Sequence, residues 1–173
     1  MTDFRQEALQ LVLDNGYRDL CEIGVWQGDL ARLLYPHTRT LVLVDPWSAL
    51  WNNFNHLGKP YTCTMGLPLL SQADLNLMYE RVCNEFPGAL VLRMPSIYAA
   101  LNVPAKSLDF VYIDAVHTHE HCRLDILTWL PKIRKGGMIA GDDYIKGEPF
   151  VAKAVDEVFG VKPRGDRTWW ERV

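Results

Sequence analysis

The sequence predicts an α/β fold: a doubly wound, mostly parallel sheet between two layers of helices, with an antiparallel hairpin at the C-terminal end. Short apolar runs rich in β-branched and aromatic residues alternate along the chain with segments whose apolar residues recur at helical spacing. The stretch from Asp109 to Tyr144 is the clearest case, because its pattern is typical of a strand, a helix and a second strand. A crossover of this length favours parallel strands. With 173 residues, of which 49% are hydrophobic, we expect residues 1–173 to form a single domain.

Short strands are expected along the whole chain. They are predicted at 17–23, 40–44, 89–93, 109–113, 138–141 and 168–173. The run at 40–44 is apolar throughout, as in a parallel strand that is buried on both faces. Two glycines at 136–137 are expected to break the chain before the fifth strand. The last strand is expected to form the closing hairpin with residues 161–163.

Helices are predicted between the strands from apolar periodicity and from the residues that start or stop a helix. Ser71 and Asp74 could cap the third of them. Stop signals end four of these helices, at Asn15-Gly16, Pro36, Pro87-Gly88 and Pro131. Residues 46–70 are different, because they carry several aromatics without a clean period. That segment suggests a lid or a substrate-pocket wall, with an ordinary packed loop as the alternative.

Composition and charge exclude several classes of partner. The net charge is −3 and the basic residues are scattered, which gives no reason to expect nucleic acid. No apolar run approaches the roughly 20 residues of a membrane span, and the N-terminus lacks a signal pattern. The four cysteines show no paired spacing, which is typical of reduced thiols. We therefore expect a cytoplasmic protein without a membrane or nucleic-acid partner.

Acidic residues stand where two predicted neighbouring strands end. Asp114 follows the fourth strand, and Asp142 and Asp143 follow the fifth. Parallel strands end at the same edge of the sheet, where open α/β sheets bind ligands. Three carboxylates close together repel one another, so a cation is their natural partner. Solvated turn aspartates are the alternative interpretation.

A glycine-spaced turn lies between the first strand and the second helix. Gly24 and Gly28 would let the backbone approach a nucleotide, and Asp45, at the end of the next strand, could accept hydrogen bonds from ribose hydroxyls. Trp26 stands where a dinucleotide fingerprint has its second glycine. The carboxylate of Glu22 also disfavours an anion, so the turn suits a cationic or zwitterionic ligand that carries an amino group.

These features together carry a family resemblance over roughly residues 18–160. The sequence resembles the class I S-adenosylmethionine-dependent methyltransferases, which have a Rossmann-like fold, and more closely the small macrocin-type O-methyltransferases of methyltransferase family 24. The residues that carry the resemblance are 22–28, 44–45, 112–120 and 135–144. The last two segments are the specific ones, and the first is shared by many methyltransferases.

The resemblance implies a role for each candidate residue. Gly24 and Gly28 would line the methionine moiety of the cofactor, with Glu22 near its amino group, while Asp45 would hold the ribose and Ser96 would lie near the adenine. The residues expected to contact the cofactor are Glu22, Gly24, Trp26, Gly28, Asp45, Pro46, Ser96 and Asp114. In metal-dependent relatives a Mg²⁺ ion is held at the positions of Asp114, Asp142 and Asp143.

The implied reaction is metal-assisted O-methylation of a small hydroxylated acceptor, such as a sugar, a polyketide or a catechol-like molecule. His117 and Asp114 are the expected catalytic residues, with His117 as a base that titrates near neutrality. Trp47 or Trp51 could stack on the acceptor, and the loop 144–149 would complete its pocket. Exposed aromatics such as Trp169 and Trp170 could support a homodimer.

Two other functions compete with methyl transfer. His117, His119 and His121 resemble the zinc ligands of metallo-hydrolases, although alternate residues on a helix do not face each other. A non-catalytic fold that binds the cofactor and serves as an interaction module is the second, because a fold alone does not fix function.

Overall fold

Six strands form one sheet in the order β3-β2-β1-β4-β5-β6, as seen in a computed structural model that describes residues 4–49, 70–161 and 167–173. All neighbouring strands are parallel except β5 and β6. The strands are β1 Asp19–Ile23, β2 Thr40–Val44, β3 Leu90–Leu92, β4 Leu108–Ile113, β5 Ile133–Gly141 and β6 Trp169–Arg172. The predicted fold class is therefore confirmed.

Helices cover both faces of the sheet. They are α1 Phe4–Asn15, α2 Asp29–Leu34, α3 Gln72–Glu85, α4 Ser96–Ala99, α5 His119–Trp129 and α6 Val151–Phe159. Buried residues of α1, α2 and α3 pack on one face, and those of α4, α5 and α6 on the other. The predicted cap of α3 is present, because the Ser71 hydroxyl accepts a hydrogen bond from the Asp74 N–H. None of the helices in the described ranges is long and apolar enough to cross a membrane.

β5 is longer than the sequence predicts. It begins at Ile133 and runs through the two glycines that were expected to break the chain. A side chain at Gly137 would lie 2.6 Å from the carbonyl oxygen of Asp109 on β4, so glycine is needed for the two strands to approach. The pairing with β4 also shifts register between Leu108 and Phe110. The glycines therefore accommodate a bulge within the strand, and do not end it.

The antiparallel pair at the C-terminal end consists of β6 and β5, with Gly141 opposite Trp169. Residues 162–166 lie outside the described residues, and with them most of the first arm of the predicted hairpin. Trp170 is 49% exposed, but Trp169 is only 1% exposed and packs near Phe159 with ring centroids 6.2 Å apart. The expectation that both tryptophans are exposed is wrong for Trp169, because alternate residues of a strand face opposite sides. The homodimer stays a prediction.

Candidate active site

The strand order reverses between β1 and β4, and the carboxyl ends of these strands are joined directly. The Asp114 N–H donates to the Ile23 carbonyl at 2.8 Å, and the Gly24 N–H donates to the Val44 carbonyl on β2 at 2.8 Å. Gly24 has a φ of +89°, and a Cβ atom there would lie 1.9 Å from the Asp114 carbonyl oxygen. Glycine at this position therefore lets the ends of β1 and β4 meet at the crevice where open α/β sheets bind ligands.

Glycine is required at position 28 for a similar reason. Its φ is +81°, and a Cβ atom would lie 2.9 Å from the ring of Phe86, at the end of α3. At both glycines the space of the missing side chain is filled by protein. The sequence-based interpretation, that these glycines make room for a nucleotide, therefore misses their contacts within the fold.

Asp45 connects the turn after β1 to the turn after β2. Its Oδ2 accepts from the Trp26 N–H at 3.0 Å and its Oδ1 from the Trp47 N–H at 2.7 Å. The Trp47 indole N–H donates to the Trp26 carbonyl at 2.9 Å, which closes the link. Both tryptophans have positive φ, +53° and +38°. Asp45 thus fixes the backbone on two sides of the crevice, next to Pro46, while the Trp26 side chain stays 41% exposed.

Trp47 itself cannot stack on an acceptor. It is fully buried and packs against Tyr79, with ring centroids 5.3 Å apart. The expectation that Trp47 contacts the acceptor is wrong, because its indole forms part of the core beneath the crevice. Trp51 and the rest of 50–69, most of the predicted lid, lie outside the described residues.

Glu22 is a buried carboxylate with an unsatisfied oxygen. The residue is 3% exposed, and within the described part of the chain its Oε2 has no hydrogen-bond partner. Burial raises its pKa well above the usual range, and the nearby carboxylates of Asp114 and Asp45 raise it further. Buried polar groups are nearly always paired in native proteins, so an unpaired oxygen beside a crevice indicates a missing ligand group or water.

Two polar residues that the sequence analysis did not single out show the same feature. Tyr112 pairs with Glu22 across β4 and β1. The hydroxyls of Tyr112 and Thr168 are buried and interact with each other, but neither makes a hydrogen bond of good geometry among the described residues. Burial raises the pKa of Tyr112, and the nearby carboxylates of Asp142 and Asp114 raise it further. Strands buried on both faces show no alternation of polarity, so the sequence does not reveal which face Tyr112 occupies.

Asp114, Asp142 and Asp143 come together through contacts with two basic side chains. His117 Nδ1 lies 2.8 Å from Asp143 Oδ2, and His117 Nε2 lies 3.3 Å from Asp114 Oδ1 without hydrogen-bond geometry. Arg167 Nη2 lies 2.7 Å from Asp143 Oδ1. Arg167 Nε donates to Asp142 Oδ1 at 2.9 Å. The sequence analysis missed Arg167, which lies 25 residues after Asp142 and carries no local motif.

The surroundings of His117 favour its protonated form. Burial lowers its pKa, but close contacts with the negatively charged carboxylates of Asp114 and Asp143 outweigh burial and raise the pKa to about 10. The expectation that His117 titrates near neutrality is therefore wrong for this arrangement. Burial also raises the pKa of Asp142, against the opposing effect of its contact with Arg167.

The carboxylates do not fit a magnesium ion as they are arranged. Over residues 4–49, 70–161 and 167–173, no group of three His, Cys, Asp or Glu side chains is placed to hold a metal. Both oxygens of Asp143 face cationic nitrogens, from Arg167 and from His117. The predicted Mg²⁺ ligands thus lie together, but their charge is neutralised from within the protein.

The three histidines of the zinc alternative have separate partners. His119 Nε2 lies 2.8 Å from Glu157 Oε2 on α6, and His121 Nδ1 lies 2.6 Å from the Thr118 hydroxyl. His117 instead contacts the aspartates. Thr118 caps α5, so the helix turns His119 and His121 to different sides. The geometry does not favour the metallo-hydrolase interpretation.

Ser96 lies at the start of α4, after β3. Its hydroxyl accepts a hydrogen bond from the Trp129 indole N–H at 2.7 Å, and it also interacts with Asp125. Burial raises the pKa of Asp125 to about 6, and the Ser96 contact opposes that rise. The side chain of Ser96 thus connects α4 to α5.

Solved structures with the same fold include several methyltransferases. The O-methyltransferase NovP superposes with a TM-score of 0.68 at 16% identity, over 98% of this chain and 77% of NovP. An O-methyltransferase from Bacillus cereus, solved in complex with SAH, gives 0.58 at 19% identity, over 93% of this chain and 70% of that one. Cofactor-bound Rv0187 from MTB gives 0.59 at 16% identity, over 100% and 82%. These similarities establish the fold.

Sequence comparison establishes the family. No curated protein sequence matches the chain. The profile of a family described as a methyltransferase domain, methyltransferase family 24, matches residues 21–144. That range begins within β1 and ends just after β5, so it contains the glycine-spaced turn, Asp45 and the acidic cluster. The chain therefore belongs to methyltransferase family 24.

Proposed function

We propose that this methyltransferase transfers the methyl group of S-adenosylmethionine to a hydroxyl of a small acceptor, such as a sugar, a polyketide or a catechol-like molecule. The observation that carries the proposal is the unpaired, buried carboxylate of Glu22 beside the joined ends of β1 and β4. The cofactor has a cationic amino group that can pair with this carboxylate. Its methyl group is electrophilic because it is bonded to a sulfonium. The SAH bound to the Bacillus cereus O-methyltransferase supports the choice of cofactor.

The remaining cofactor contacts follow from the same crevice. A carboxylate can accept about four hydrogen bonds in total, so Asp45 can hold the ribose hydroxyls while it fixes the two turns. Trp26 and Pro46 border this position from those turns. Gly24 and Gly28 would line the methionine moiety with their backbone. Ser96 would lie near the adenine.

In the proposed reaction His117 takes the proton of the acceptor hydroxyl. Asp114 and Asp143 flank its two ring nitrogens at 3.3 and 2.8 Å, so both can stabilise the imidazolium that forms. The same carboxylates make neutral His117 scarce at pH 7, since its pKa is raised to about 10. The chain's own residues therefore hold a strong base whose active form increases with pH. No step in this scheme passes through a metal ion.

Two variants separate cofactor binding from chemistry. Asp114→Asn should abolish methyl transfer, because it removes a partner of His117, and should leave S-adenosylhomocysteine binding nearly intact. Glu22→Gln should weaken binding of S-adenosylhomocysteine. Glu80→Gln on the exposed side of α3 is the matched control and should change neither.

The experiment combines calorimetric titration of S-adenosylhomocysteine with a screen for transfer of a labelled methyl group to sugars, catechols and phenolic polyketides. The proposal expects micromolar-range binding and label in at least one acceptor class. Absence of binding at millimolar ligand would overturn the choice of cofactor. Binding without transfer to any acceptor would instead favour the interaction-module alternative.

A further inference from the structure

Arg167 makes the most extensive contacts with the acidic cluster. Its Nε lies 2.9 and 3.1 Å from the two oxygens of Asp142, and its Nη2 lies 2.7 Å from Asp143 Oδ1. Asp142 is only 2% exposed. One guanidinium thus contacts two adjacent carboxylates, and one of them, Asp142, is shielded from solvent.

The backbone holds Arg167 at this position. The Tyr144 N–H donates to the Arg167 carbonyl at 2.8 Å, just beyond the antiparallel pairing of β5 and β6. The guanidinium carbon also lies 5.6 Å from the centre of the Phe4 ring, within the range of a cation–π contact. Backbone pairing therefore brings residue 167 to the end of β5, independently of its side chain. The fold thus places the arginine beside the aspartates.

These contacts occupy the oxygens that a divalent cation would need. Asp142 presents both oxygens to Arg167, and Asp143 presents one oxygen to Arg167 and the other to His117. Mg²⁺ requires oxygen ligands at about 2.0–2.1 Å in near-octahedral geometry and gives up its water reluctantly. A metal could bind here only after the guanidinium leaves. Its departure would leave the buried carboxylate of Asp142 without its cationic partner, which is unfavourable.

We propose that Arg167 takes the place of a divalent cation in this protein: its guanidinium neutralises Asp142 and Asp143, and the cluster of Asp114, Asp142 and Asp143 forms no high-affinity divalent-metal site while Arg167 is present. The charge of arginine does not depend on pH in the working range. The acidic cluster is therefore kept together by a permanent cation of the chain itself. Removal of that cation should leave clustered carboxylates that bind a metal.

The test measures Mn²⁺ binding to the full-length protein by the electron paramagnetic resonance signal of free Mn²⁺, without cofactor or acceptor. The wild-type chain should bind no Mn²⁺ with a Kd below about 1 mM, the weak end of protein sites for divalent ions. Arg167→Gln should gain one site per chain with at least about tenfold higher affinity. Asp143→Asn in the Arg167→Gln background should lose that site.

Two control variants define the role of the charge. Arg167→Lys keeps a cation and should behave as the wild type does. Arg123→Gln removes a half-exposed arginine of α5 that lies 3.7 Å from Glu157, away from the aspartates, and should also leave Mn²⁺ binding unchanged. Thermal unfolding of each variant shows whether it is folded.

Two results would overturn the proposal. One is a wild-type chain that binds one Mn²⁺ with a Kd below about 1 mM, a measurement that needs no variant to fold. The other is a folded Arg167→Gln chain without a gain in binding. Neither result depends on methyl transfer, so this proposal and the proposed function can fail independently.

Discussion

Replacement of Glu22 by glutamine should move stability and cofactor affinity in opposite directions. Glutamine keeps the size of the side chain and removes the charge that burial and two neighbouring carboxylates, Asp114 and Asp45, make unfavourable. A buried group without a partner costs about 1–3 kcal/mol, and more when it is charged. The amide of glutamine still lacks a partner, so we expect a net gain in the free energy of unfolding of about 1 kcal/mol. For a chain of this length that gain corresponds to a Tm rise of about 2–4 °C.

The gain should depend on pH in a defined direction. The pKa of Glu22 is raised in the folded state, so the folded chain favours the protonated carboxyl. Below the pKa of an unfolded glutamate, about 4.3, both states are protonated and the variant should match the wild type. As pH rises above that value, the wild type should lose stability relative to the variant. Thermal unfolding at pH 4 and pH 8 measures the difference.

Cofactor binding should respond in the opposite sense. A hydrogen bond to a charged group contributes about 1.5–3 kcal/mol, so S-adenosylhomocysteine should bind about 10- to 100-fold more weakly to Glu22→Gln. Calorimetric titration measures the Kd, with Glu80→Gln as control. A variant that is less stable than the wild type but binds the ligand equally well would show that Glu22 is a structural residue, and the reasoning would be refuted.

Three further changes test the site and the fold around it, the last of them at Asp19, where β1 begins. Gly24→Ala should cost at least about 3 kcal/mol of unfolding free energy, because its Cβ would lie 1.9 Å from a backbone oxygen. Gly88→Ala, with open space around it, should cost only about 1 kcal/mol. Equal losses of stability in chemical denaturation would contradict the packing argument. The kcat/KM for methyl transfer should increase as the pH is raised to about 10, because His117 loses its proton over this range. His117→Gln should flatten that increase. An unchanged pH profile in the variant would exclude His117 as the base. The hydrogen bond from Arg39 is the main reason why the pKa of Asp19 is lowered to about 2. Asp19→Asn should therefore lose about 1–2 kcal/mol of stability at pH 7, and this loss should fade between pH 4 and pH 2. A loss independent of pH would mean that the ion pair is not its cause.

The order of elements and the edge of the sheet that carries the site could be predicted from the sequence. In an α/β chain, an unbroken apolar run such as 40–44 is typical of a parallel strand that is buried on both faces. Acidic residues directly after β2, β4 and β5 then fall at one edge, because parallel strands end on the same side. Those predictions rest on local patterns and a general rule of chain topology.

The contacts that define the site depend on tertiary structure and could not be predicted. Gly24 is needed because a backbone carbonyl about 90 residues later in the chain approaches it, and no local pattern records that approach. The sequence placed Trp47 in a lid or pocket wall where it could stack on the acceptor, but its N–H groups join Asp45 and Trp26 beneath the crevice. Arg167 reaches the aspartates only because β6 folds back antiparallel to β5. In each case a long-range contact decides the role of the residue.

The most direct test of the account is a crystal structure of the chain with S-adenosylhomocysteine. We expect the ligand to lie across the joined ends of β1 and β4, with its amino nitrogen within hydrogen-bond distance of the Glu22 carboxylate. A ligand bound elsewhere, or one whose amino group has other partners while the Glu22 oxygen stays unpaired, would contradict it.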